Sequence, residues 1–264
     1  MSIHATAVVD PEARIHPAAN IGPHVVIDGP VTIGPDCVVS PFAVILGHTE
    51  LGAGCRVHSH AVVGDLPQDR AFGGGVSFCR IGAGTIIREG ATVHRGTAPE
   101  SATIIGERCY LMTNSHVGHN CVLADDVTLI SGALLGGYVQ VGARALISGN
   151  AAVHQFVRIG ELAMISGLAK IVQDVPPFCM TDRSGAVVGV NSVGLKRAGF
   201  TSIERAEIKE AFRILYRSQH SLRDVCETLA RTFTTEAAGR ILRFLEEGTK
   251  RGLTKGTLQR RAAA

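Results

Sequence analysis

Imidazoles are the groups in this chain best suited to chemistry. Eleven histidines occur among 264 residues, and His94, His116, His119 and His154 stand within its repeating part. Two chemistries suit such a cluster. One is a zinc site, since imidazole is a common zinc ligand. The other is a general base that takes a proton from a hydroxyl or an amine. The spacing His116-x-x-His119 does not choose between them.

The elements that must position these histidines are set by a six-residue repeat. Val117, Leu123, Leu129, Leu135, Val141, Ile147, Val153, Ile159, Ile165 and Ile171 fall on one comb. Counted back to Ile3 the comb has 29 teeth, all Ile, Val or Leu except Asp69, Gly75 and Pro99. The period is neither 3.6 nor 2, which excludes an amphipathic helix and an ordinary meander. A fixed hexad is the mark of a parallel β-helix, one short strand and one turn per repeat. Four residues after each tooth the side chain is small, as at Ala7, Ala61, Ser115, Ala133 and Ala163. A large aliphatic would fill each layer with a small residue beside it where the walls converge. Glycine often follows the tooth (Gly22, Gly52, Gly106, Gly118, Gly136), and the expectation is a turn with positive φ there.

In this register no histidine occupies an inward column, so all four candidates point outward or sit at turns. His94, His116 and His119 lie about one coil apart and can converge. Outward residues of a single β-helix lie on an open wall. A threefold homo-oligomer would bring two such walls together into a cleft.

Bulk properties agree with thin aliphatic layers: 45% hydrophobic residues, 5% aromatic, no Trp. Net charge is +3, and from Thr201 onward 13 Lys and Arg stand against 8 Asp and Glu, a mildly basic tail that fits ordinary solvated helix faces or an acidic partner. Five of the seven cysteines (Cys37, Cys55, Cys79, Cys109, Cys121) fall in the small inward column, where Cys acts as a small hydrophobe. With an odd number and no Cys-x-x-Cys, the chain reads as reduced and cytoplasmic. The opening residues lack the pattern of a signal peptide, and no apolar run reaches the roughly 18 residues of a membrane span.

Taken in order, the chain predicts a mainly β architecture. A left-handed parallel β-helix of hexapeptide repeats covers 1–177, with loop excursions at 64–80 and 97–103. A connecting segment covers 178–200, and a C-terminal α-helical domain covers 201–264. The longer excursion, with Pro67 and Gly73 to Gly75, is expected to be functional. Thr201-x-x-Glu204 is a capping-box pattern. Ile208, Phe212 and Leu215, then Leu222, Val225 and Leu229, then Ile241, Phe244 and Leu245 mark three helix faces. The end, from Gly252 to Ala264, is expected to fray.

A series of short motifs runs through the chain: Gln68-Asp69, Ile87-Arg88-Glu89, His94-Arg95-Gly96-Thr97 and His116-Val117-Gly118-His119. It continues through Val153-His154-Gln155-Phe156, Gln173-Asp174-Val175-Pro176-Pro177, Gly189-Val190-Asn191 and Gly194-Leu195-Lys196-Arg197. In these motifs, and over nearly its whole length, the sequence resembles the bacterial UDP-N-acetylglucosamine O-acyltransferases of lipid A biosynthesis. The resemblance also supplies the left hand of the helix. It implies a homotrimer with sites between subunits, an acyl carrier protein as 3-hydroxyacyl donor and a UDP-sugar as acceptor. No cofactor, metal, nucleic acid or integral membrane segment is implied. His119 matches the general base and the Gly137 backbone N–H the oxyanion donor, a device commonly worth about 3 kcal/mol of barrier. Gln68, Asp69, His94, His116, His154 and Gln155 match substrate-binding positions. Asn191 and Arg197 match nucleotide contacts, and Gly167 matches the position that limits acyl length.

Four positions depart from the family pattern. Asn120 stands for an Asp after the base, Ala71 for a loop Lys, Tyr138 for a His after the oxyanion glycine, and Val193 for a Glu near Asn191. They keep other readings open: an acyltransferase using a 3-amino sugar nucleotide or another acceptor, the same fold using acyl-CoA, or a non-catalytic sugar-nucleotide-binding relative. A hexad metalloenzyme of the γ-carbonic anhydrase type is a further alternative, though its ligand spacing is wider and it lacks the long helical tail.

Overall fold

A computed structural model describes residues 2–218 and 220–256. Among them 28 short strands form three sheets of 11, 9 and 8 strands. Through Ile171 each sheet takes every third strand, so one coil is three hexads. Residues 18 apart pair in parallel register, as in Val117 with Leu135, Leu135 with Val153 and Val153 with Ile171. From Ile21 on, the comb residues of the coil point inward and are almost wholly buried, Ile21, Ile87, Leu129 and Ile147 among them, whereas Ile3, Val9 and Ile15 at the open end are partly buried. The small column lies beside them (Ala61, Ala133, Cys55, Cys121). It also accepts Val25, Val127, Val139 and Val157, all buried.

The repeat keeps its count across both excursions for a reason visible in the register. Val63 pairs with Val93, 30 residues on, and Val93 with Val117, 24 on. The insertions are therefore 12 and 6 residues, both whole multiples of the hexad. Asp69, Gly75 and Pro99 fall on teeth of the comb while lying outside the coil. Strand Val62–Asp65 leads into the first excursion and strand Phe78–Ile81 leaves it.

The glycine expectation needs correction. Positive φ falls two residues further on, at Asp36 (57°), Asn120 (59°), Tyr138 (60°) and Phe156 (66°). The glycines after the comb residue instead allow stacked coils to meet. A Cβ on Gly52 would lie 2.7 Å from Ala83 N, and one on Gly118 would lie 2.8 Å from Leu135 O. Close backbone approach, not handedness of the turn, selects glycine there.

The segment 178–200 carries more structure than a connection. Strand Cys179–Thr181 adds in parallel beside Met164–Ile165, and strand Val187–Val190 returns antiparallel to it. Helix α1 (Ser192–Arg197) follows. These pieces are too short for a period to reveal. The tail holds α2 (Ser202–Arg217), α3 (Leu222–Thr232) and α4 (Glu236–Glu246). The Thr201–Glu204 capping box forms, and Ser221 with Asp224 makes a second one. Ile208, Leu215, Val225, Leu229, Ile241 and Leu245 are buried, whereas Leu222, at the first position of α3, is 45% exposed. Residues 252–256 do not fray. The Gly252 carbonyl accepts from Asp174 N (2.9 Å), Thr254 N donates to the Asp174 carbonyl (2.9 Å), and Thr254 is buried. The remainder of the expected frayed end, 257–264, lies outside the described residues. Among the described residues no helix is long and apolar enough to cross a membrane.

Candidate active site

Three turns stacked 18 residues apart build one wall of the site: His119-Asn120, Gly137-Tyr138 and Gln155-Phe156. The N–H of each later turn bonds the carbonyl of the one before, Tyr138 N to His119 O at 2.9 Å and Phe156 N to Gly137 O at 3.0 Å. Strands Thr92–His94 and His116–Val117 supply the adjoining wall. The long excursion covers it, and the Leu66 carbonyl meets His94 Nδ1 in a short hydrogen bond. His94 and His119 are therefore buried although they lie outside the coil.

A cleft of about 350 Å³ results, lined by Gln68, His94, His116, His119, His154 and Gln155, with Gly118, Gly136 and Gly137 at its floor. Asp69 stands at its edge, its Oδ2 3.8 Å from His119 Nε2. Gln68 and Asp69 from the loop and His94, His116, His119, Gly137, His154 and Gln155 from the hexads are thus brought to one place. Asn191, Arg197 and Gly167 do not line this cleft within one chain. Asn191 caps α1: its Oδ1 accepts from Gly194 N at 2.9 Å and its Nδ2 donates to the Leu162 carbonyl at 2.9 Å. Arg197 is exposed in the last turn of α1. Gly167 lies in a turn where an added Cβ would meet Gly149 O at 3.5 Å, an ordinary contact.

His119 is oriented from its Nδ1 side. That nitrogen lies 2.8 Å from Thr97 Oγ1 and 3.1 Å from Asn120 Oδ1. The amide oxygen of Asn120 also accepts from Thr97 N at 2.9 Å. An acceptor facing Nδ1 places the proton there, leaving the Nε2 lone pair toward the cleft. Tyr138 packs edge-on against the ring, with centroids 5.3 Å apart, and stacks on Phe156 at 4.9 Å. Asn120 thus keeps the orienting bond that an Asp would make, without its charge. Asp69 supplies a carboxylate on the opposite side. Its pKa is lowered, chiefly by the Ala71 N–H that its Oδ1 accepts at 3.0 Å, then by the Thr97 hydroxyl and by His119. His116 Nδ1 lies 2.8 Å from Thr92 Oγ1, and burial, then the charges of His94 and His119, bring its pKa down to about 4.

The Gly137 N–H makes no hydrogen bond among the described residues, whereas its neighbours do: Gly136 N to Val153 O and Tyr138 N to His119 O, both 2.9 Å. A Cβ at Gly137 would run into the His119 ring. Glycine here keeps a free donor beside an imidazole. Among the described residues, no group of three or more His, Cys, Asp or Glu side chains is placed to hold a metal ion.

Sequence reading missed three contributors. Thr97 was legible only as the end of a motif, and the excursion that carries it brings its hydroxyl to His119. Phe156 occupies a positive-φ turn whose side-chain direction the comb does not give. Arg251, beyond α4, reaches His154 Nδ1 at 2.7 Å, a contact 97 residues away in sequence that no local pattern signals.

Known proteins share this sequence pattern and this fold. Residues 174–254 match the family model for UDP-N-acetylglucosamine O-acyltransferase, domain 2, and residues 30–65 match the bacterial transferase hexapeptide model of six repeats. The chain is 41% identical to the acyl-[acyl-carrier-protein]–UDP-N-acetylglucosamine O-acyltransferase of Verminephrobacter eiseniae, over 87% of this chain and 88% of the relative. It is 46% identical to the protein of the same name from Alkalilimnicola ehrlichii, over 86% and 89%. The solved UDP-N-acetylglucosamine O-acyltransferase of Moraxella catarrhalis superposes with a TM-score of 0.94 at 31% identity, covering 97% of this chain and all of the other. By sequence, by left-handed β-helical fold and by the helical tail, the chain belongs to the UDP-N-acetylglucosamine O-acyltransferase family.

Proposed function

We propose that the protein transfers a 3-hydroxyacyl group from acyl carrier protein to the 3-hydroxyl of UDP-N-acetylglucosamine, the first step of lipid A biosynthesis. The observation that carries this reading is His119. Its Nδ1 faces the Asn120 amide oxygen, so its Nε2 is the basic nitrogen, beside the Gly137 N–H, which is unpaired among the described residues. His119 Nε2 takes the proton of the sugar hydroxyl as its oxygen attacks the thioester carbonyl. The Gly137 N–H receives the negative charge on the carbonyl oxygen. Collapse breaks the carbon–sulfur bond, and His119 returns the proton to the leaving thiolate. Alcohol and thioester become ester and thiol, with no net change of charge.

Asp69, 3.8 Å from Nε2, stabilises the imidazolium that forms, a role Asn120 cannot take. Asn191, Arg197 and Gly167 join the site in a homotrimer, where a neighbour closes the open wall. In support, the outward face of the His116 sheet continues in exposed Leu134 and Ala152. The basic tail then faces an acidic carrier protein.

The test is His119→Ala assayed by mass spectrometry with 3-hydroxyacyl carrier proteins. Loss of at least a hundredfold, as expected for a general base, with the oligomer intact supports the reading; retained turnover overturns it. The same assay with the 3-amino sugar nucleotide separates ester from amide formation, the choice that Ala71, Tyr138 and Val193 bear upon.

A further inference from the structure

We infer that Arg251 is a positioning residue that fixes the tautomer of His154, so that the cleft holds two imidazoles in opposite proton states: His119 as acceptor and His154 as donor. The inference rests on the function proposed above for the same cleft. Arg251 Nη2 lies 2.7 Å from His154 Nδ1, and Arg251 Nε donates to the Gln155 carbonyl at 2.9 Å. A guanidinium carries only donors and keeps its protons. His154 Nδ1 must therefore accept, and the proton of the neutral ring sits on Nε2. The alternative, Nδ1–H donating to the Gln155 carbonyl, has a longer separation of 3.3 Å and an oxygen that Arg251 already occupies.

The opposite arrangement holds at His119, where an amide oxygen faces Nδ1. Both rings line the cleft. A sugar nucleotide presents hydroxyl, carbonyl and phosphate oxygens, and an imidazole locked as an Nε2–H donor suits a hydroxyl or carbonyl oxygen of the sugar. Arg251 is itself held firmly. Lys250 beside it lies over the Phe156 ring at 5.0 Å. Gly252 turns the chain at φ 75°, and residues 252–254 pair with Asp174. The segment after α4 thus forms part of the site from the far end of the sequence.

The test uses the full chain, Arg251→Met, His154→Ala and the double variant. Nitrogen-15 spectra of the histidine rings, with His154→Ala giving the assignment, should show His154 protonated on Nε2 with Nδ1 accepting. Arg251→Met should shift that signal and raise KM for UDP-N-acetylglucosamine about tenfold, the factor one hydrogen bond commands. In the His154→Ala background the same substitution should change KM less than twofold, because Arg251 acts through the imidazole. A His154 proton on Nδ1, an unshifted signal in Arg251→Met, or an equal KM effect in both backgrounds overturns the inference. Absence of any transfer by the wild type overturns the proposed function instead, while the ring spectra still decide the tautomer.

Discussion

His116 shows what burial does to a single side chain here. Its pKa is brought down to about 4 by burial first and by neighbouring histidine charges second. In the unfolded chain the same ring titrates near its ordinary value of 6.5. Above pH 6.5 both states are neutral and the site adds no pH dependence. As pH falls from 6.5 to 4 the unfolded state takes up a proton that the native state refuses, and stability declines. The loss amounts to roughly 2–3 kcal/mol after allowance for solvent screening. Urea titrations at pH 8, 6 and 4.5 should give a steep decline for the wild type and a shallower one for His116→Gln. Equal slopes would mean that His116 is not the group responsible.

At the scale of the element, the hexad is legible because each coil repeats one packing problem. A large inward residue, a small inward residue and a turn recur, so a single column reveals the strands, the three-strand coil and the inward register. Glycine was visible but misassigned, since a one-dimensional pattern cannot tell a turn of positive φ from a close approach between coils. The two readings differ in what a methyl group does. At Gly52 it would press on the backbone of the next coil, 2.7 Å from Ala83 N. Gly52→Ala should cost about 1–3 kcal/mol by overpacking. At Gly239, inside α4, the nearest contact is Arg243 Nη1 at 3.6 Å, and alanine should add about 1 kcal/mol. Chemical denaturation of the two variants checks both signs, and a neutral Gly52→Ala would contradict close packing of the coils. The cleft itself was half legible. His119, His116 and His94 follow from the register, but Thr97 depends on the path of an excursion and Arg251 on the docking of the tail.

Over the whole molecule, one buried ion pair helps dock the tail, alongside Arg240 on the Glu161 carboxylate at 2.9 Å. Asp174 is fully buried; its carboxylate accepts from Arg158 N at 2.9 Å and Arg158 Nε at 2.8 Å. Arg158 continues outward to the Phe244 carbonyl and Glu247, both at 3.1 Å, and lies over the Phe244 ring at 4.2 Å. The backbone of Asp174 pairs with residues 252–254, so one residue links the last coil, the end of α4 and the segment bearing Arg251. Such a pair is weak evidence for stability in itself, yet removing one partner strands the other. Asp174→Ala should therefore destabilise by about 3–5 kcal/mol, and unevenly. Amide exchange should quicken first in α4 and in 252–256, while the coils around Val117 and Leu135 hold their protection. Because Arg251 is carried by the loosened segment, KM for the sugar nucleotide should rise in this variant before the β-helix melts. Uniform exchange across coil and tail would show instead that the two unfold as one unit and that the ion pair is not the hinge between them.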